Sequence, residues 1–192
     1  MAKKKQVVNP NIEPHPELTE YDDWCHFDAV IDYNKGPFIK IIQFYLFETP
    51  AKNTSCRSKS FQDYGWAGSG FIGTLKSQLI KSTIGYENYE PVGLESLQEK
   101  LAEHDMLNQI NLKNEIAVFY DKEESDKEFM SMFVSLRNAF AHGAFDIVYD
   151  KETPYYILEN REPKTTEIRA RFILKEATLL QWIDIITKKT QN

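Results

Sequence analysis

Three side chains late in the chain, Arg137, Asn138 and His142, bring a fixed cation, an amide and a proton carrier within one short stretch. Guanidinium keeps its charge and grips phosphate oxygens in a bidentate fork. Imidazole is the one group between Ser135 and Gly143 able to exchange a proton near neutral pH. An amide carries no proton but can orient its neighbours. The set suits the recognition of a phosphate and the movement of protons around it.

These residues sit in Ser135-Leu136-Arg137-Asn138-Ala139-Phe140-Ala141-His142-Gly143, the end of an apolar run. Phe129, Met132, Phe133, Leu136 and Phe140 recur at helical spacing, so one face of a helix must pack inward. Ser125 or Asp126 can cap its start, with Glu128 in the first turn. Asn138 and His142 are i, i+4 neighbours, but Arg137 and His142 lie roughly 140° apart on a straight helix. One ideal helix cannot aim both at one atom. Either the helix ends at Gly143, a good residue for a left-handed helix terminus, or two copies face each other across a two-fold axis. The same residues also admit a structural role. His142 would cap its own helix, Asn138 would bond a nearby loop, and Arg137 would pair with an acid such as Glu128 or Asp146.

Other candidate sites are weaker. Cys25 and Cys56 lack the number and spacing for a zinc site or a disulfide framework, which suits a reduced, cytoplasmic protein. Gly68-Ser69-Gly70-Phe71-Ile72-Gly73 matches GxGxxG, yet no strand reads before it and no βαβ pattern follows, so its glycines are expected in a turn opening a helix. His15 lies in a Pro-rich start, His26 follows Cys25, and His104 sits among acids. No HExxH or clustered carboxylates appear, and neither metal nor cofactor is expected.

The elements around the stretch read as mostly helical. Residues 1–20, with Pro10, Pro14 and Pro16, form an irregular tail, and residues 21–192 a single domain whose ordered part begins at Trp24, Phe27, Val30 and Ile31. Pro37 opens a helix carrying Phe38, Ile41, Ile42, Tyr45 and Leu46. A polar connector from Ala51 to Ser60 follows. Phe71, Leu75, Leu79 and Ile80 predict a second helix closed near Gly85, and Leu94, Leu97 and Leu101 a third. Leu112, Ile116, Phe119 and Tyr120 suggest a short fourth. After Gly143 the period changes to alternation, and 144–173 reads as a three-stranded antiparallel insert around Phe145–Tyr149, Tyr155–Leu158 and Ile168–Ile173. Leu174, Thr178, Leu179, Trp182, Ile185 and Ile186 predict a last helix.

Composition sets the outer limits. The chain has 192 residues, 42% of them hydrophobic, enough to bury a core. A net charge of -6 argues against coating nucleic acid through many phosphate contacts. Lys3, Lys4 and Lys5 are followed by Gln6-Val7-Val8 rather than by the apolar core of a secretory signal, and no apolar run is long enough to span a bilayer.

The Arg137-Asn138-x-x-x-His142 run resembles the signature of the HEPN family of helical ribonucleases and nucleotide-binding domains. That resemblance implies a mainly α fold, a HEPN-like helical bundle with the small antiparallel β-meander inserted before its last helix. It implies a homodimer through the Arg137–His142 helix and metal-independent endoribonuclease chemistry, with Arg137, Asn138 and His142 as catalytic residues and RNA as substrate. The ribose 2′-OH would attack the adjacent phosphate. It further implies a toxin or phage-defence effector with an antitoxin or regulatory partner. The alternative is a non-catalytic module that binds a nucleotide, an RNA or a protein partner.

Overall fold

A computed structural model describes residues 36–51, 57, 59–121, 128–162, 164–165 and 167–188. The expectations for the tail, for Trp24 to Ile31, for Cys25, Cys56, His15 and His26, and for the cap at Ser125 or Asp126 fall outside these residues.

The described chain is a mixed α/β structure built on one five-stranded sheet, and not the mainly α bundle expected from the sequence. The strands are β1 (Tyr89–Val92), β2 (Ile116–Tyr120), β3 (Phe145–Asp150), β4 (Thr153–Arg161) and β5 (Ile168–Lys175), in the order β1-β2-β5-β4-β3. β1 and β2 run parallel, joined across by a helix, and the other neighbours are antiparallel. The expected three-stranded insert therefore exists but does not stand alone. β5 pairs with β2 as well as with β4, which carries the sheet on into the first half of the chain.

The misreading has a physical cause. Ile116-Ala117-Val118-Phe119-Tyr120 is apolar throughout because both faces of β2 are covered, so it shows no alternation. Together with Leu112 it happens to satisfy helical spacing. β1 is four residues long and contains Pro91, a residue tolerated because β1 is an edge strand.

The helices are α1 (Gly36–Gln43), α2 (Phe71–Lys76), α3 (Leu94–Glu103), α4 (Glu128–Ala141) and α5 (Glu176–Lys188). α1 and α2 each widen into a π-helical turn, Phe44–Glu48 and Ser77–Lys81. On one sheet face, Ala117, Phe119, Tyr156, Leu158, Phe172 and Leu174 meet side chains from α1, α2, α4 and α5 in the main core. On the other, Val118, Tyr155 and Ile173 meet Leu97 and Leu101 of α3 and Met106 beyond it. Strand alternation thus sends one set of residues to each layer.

Aromatic N–H and O–H groups fasten the helical layer. Trp182 Nε1 donates to the Leu79 carbonyl at 2.9 Å, Trp66 Nε1 to that of Ile186 at 3.0 Å, and the Tyr45 hydroxyl to that of Leu179 at 3.2 Å. Each ties a large buried ring to a carbonyl of a different element, satisfying its polar end without loss of apolar contact. Among the described residues no helix is long and apolar enough to cross a membrane.

Candidate functional site

α4 lies across the sheet, and its inward face, Phe129, Met132, Phe133, Leu136, Ala139 and Phe140, is buried as the spacing required. Two buried polar groups also register it on β4, where Asn160 Nδ2 donates to Ser135 Oγ at 3.3 Å. Arg137 and Asn138 are left half-buried on the outward side.

The helix stops where the sequence places its glycine. Gly143 has φ +64°, in the left-handed region. The Gly143 N–H donates to the Phe140 carbonyl at 3.2 Å, and the Ala144 N–H to that of Ala139 at 2.9 Å. These two bonds make a Schellman motif, which satisfies carbonyls the helix end would otherwise leave open. His142 is the last residue before the reversal and is exposed. Its backbone N–H still reaches the Asn138 carbonyl at 3.0 Å.

The three candidate residues are not equally engaged. Arg137 Nη1 donates to Asn138 Oδ1 at 3.0 Å, so the amide orients the guanidinium rather than the imidazole. Arg137 Nε is buried without a hydrogen-bond partner. The two acids the sequence offered as partners make other contacts. Glu128 pairs with Lys76 at 2.7 Å, and Asp146 accepts from the Ile147 N–H at 2.8 Å. Among the described residues Arg137 has no carboxylate partner, and the His142 imidazole makes no hydrogen bond. A structural role for Arg137 as half of an ion pair with Glu128 or Asp146 is thereby removed. What remains is a cation pinned by an amide and a free imidazole at an exposed helix end.

Other sequence candidates resolve differently. Gly68 and Gly70 adopt φ +94° and +84°, and Gly70 precedes α2. The chain before them is a single 3-10 turn, Phe61–Tyr64, and not a strand, so the glycines shape a turn. Arg57 and Lys59 of the polar connector pair with the buried Glu48 at 3.0 and 3.7 Å. His104 lies 3.6 Å from Glu90. Among the described residues no group of three or more His, Cys, Asp and Glu side chains gathers as a metal site.

A feature that sequence reasoning missed lies on the α3 side of the sheet. A cleft of about 290 Å³ is lined by Leu107, Ile110, Ile157 and Ile173, with Glu159 and Arg171 at its polar end. Arg171 pairs with Glu159 at 2.7 Å and donates to the carbonyls of Met106 and Leu107, so its donors are spent on holding the 106–107 segment to the sheet. Burial opposes the charge on Glu159, but the hydrogen bonds and charges of Arg161 and Arg171 outweigh it and hold the carboxyl below its ordinary range. These pairings join residues far apart in sequence, and no local pattern signals them.

No family model matches the chain, and no curated protein or solved structure matches it.

Proposed function

We propose that the chain is a cytoplasmic endoribonuclease whose active site is made by two copies meeting at the ends of their α4 helices. The observation that carries this reading is the state of Arg137, a guanidinium fixed by Asn138, without a carboxylate partner among the described residues, five positions before an exposed imidazole. The resemblance of Arg137-Asn138-x-x-x-His142 to the HEPN signature supports the same chemistry. The support comes from these side chains and not from a helical bundle.

In the reaction, one His142 takes the proton of a ribose 2′-OH as its oxygen attacks the adjacent phosphorus. The second copy's His142 gives a proton to the departing 5′ oxygen as the P–O5′ bond breaks. A 2′,3′-cyclic phosphate and a 5′-hydroxyl result. Arg137 compensates the charge that grows on the phosphorane oxygens, and Asn138 keeps it aimed. Two copies resolve a difficulty a single chain has, since one imidazole cannot be base and acid in the same displacement. A role as a toxin or phage-defence effector, with an antitoxin or regulatory partner, belongs to the same reading.

The competing reading is a module that binds RNA, a nucleotide or a protein at the same surface without cutting. It is favoured by the imidazole, which no hydrogen bond orients within one chain. Incubating purified protein with single-stranded RNA in EDTA separates the two. Cleavage should appear and fall by about 100-fold or more in Arg137→Ala and His142→Ala, with the melting temperature of His142→Ala unchanged because that side chain is exposed. RNA that stays intact at high protein concentration sinks the nuclease and leaves the binding module.

A further inference from the structure

Aromatic rings form a file from the core to the surface beside the end of α4. Tyr45 and Phe140 stack with centroids 5.5 Å apart, Phe140 meets Phe145 at 5.2 Å, and Phe145 meets Phe38 at 6.3 Å. Tyr45 and Phe140 are buried and Phe145 is half-buried, but Phe38 is 44% exposed. The outermost ring thus rests on a rigid aromatic support and presents surface to solvent.

Its place in the chain matters. Phe140 and Phe145 bracket His142, and the Schellman turn folds the segment between them back on itself. His142 to Phe145 spans at most about 10 Å of chain. Phe38 therefore stands beside the segment that carries the imidazole.

We propose that Phe38 is a stacking platform for a base of the RNA substrate, next to the phosphate held at Arg137 and His142; this rests on the nuclease reading above. Single-stranded RNA offers unstacked bases, and aromatic side chains bind them through their faces with little regard for sequence. The charge balance of the chain favours such a contact. A protein with net charge -6 holds RNA poorly through phosphates alone, whereas a stacked base needs no positive surface. Base-paired RNA keeps its bases inside the helix, so the platform selects single strands.

Fluorescence anisotropy with a labelled single-stranded RNA, 2′-O-methylated so that it cannot be cut, tests the proposal on the full chain. Phe38→Ala should weaken binding by about tenfold, within the range of one base–aromatic stack, and Phe38→Trp should restore it. With cleavable RNA the Phe38→Ala defect should fall mainly on KM. If Phe38→Ala binds and cuts like the parent, the platform is wrong and the nuclease stands. If the parent cuts but Phe38→Ala shifts the sedimentation coefficient toward monomer, Phe38 is an interface residue and the platform is again wrong. If the parent neither binds nor cuts RNA, both readings fall.

Discussion

Gly143 decides how His142 is presented. Its φ of +64° is a conformation that a residue with a side chain adopts at a cost of about 1–2 kcal/mol. A Cβ there would meet no atom within 4 Å, so the penalty comes from the backbone and not from crowding. Gly143→Val should lower stability by that amount in urea titration, and it should reduce cleavage further than the loss of folded protein explains, because the helix end that frees His142 is disturbed. A variant as stable as the parent would mean the reversal is held by something other than the glycine. This end was legible in sequence, since a glycine directly after an apolar helical run is a strong terminus signal. The pairing state of Arg137 was not legible. It depends on which acids the fold brings within reach, and Glu128, on the same helix but far along it, is held instead by Lys76.

At the scale of elements, α4 and α5 and the strands β3 to β5 follow from periodicity, while β1 and β2 do not. A strand covered on both faces loses the alternation by which strands are recognised, and β2 is covered by α4 on one side and by α3 on the other. The pairing of β4 with β5 also carries charge across the sheet. The folded protein keeps the Glu159 carboxyl below its ordinary range, so this group adds stability above the carboxylate pKa of about 4.3 in the unfolded chain. That contribution is lost as pH falls through the lower, folded value. Urea denaturation of Glu159→Gln should show a deficit at pH 7 that shrinks as the solution is acidified. A deficit that stays constant with pH would mean the pair with Arg161 and Arg171 gives no net electrostatic stabilisation.

At the scale of the whole molecule, an arginine oriented by an amide and an exposed imidazole lie near one helix end of a sheet-based fold, and the proposed chemistry calls for two copies. Because the proposed reaction draws one His142 from each chain, mixing the parent with an excess of His142→Ala protein should lower activity below that of the same amount of parent alone, since every mixed dimer lacks either the base or the acid. Activity that stays at the level of the parent alone after subunit exchange would place the catalytic groups in a single chain. The fold itself could not be reached from the Arg137–His142 run. Arg137 to Gly143 determine a helix end and its side chains, whereas the sheet depends on β5 finding β2 across the chain. The most direct test of His142-dependent cleavage is end-group analysis of RNA incubated with the parent protein and with His142→Ala in the presence of EDTA. The parent should leave 2′,3′-cyclic phosphate ends and the variant none above background. Products ending in a 3′-hydroxyl, or cyclic ends made equally by His142→Ala, would contradict it.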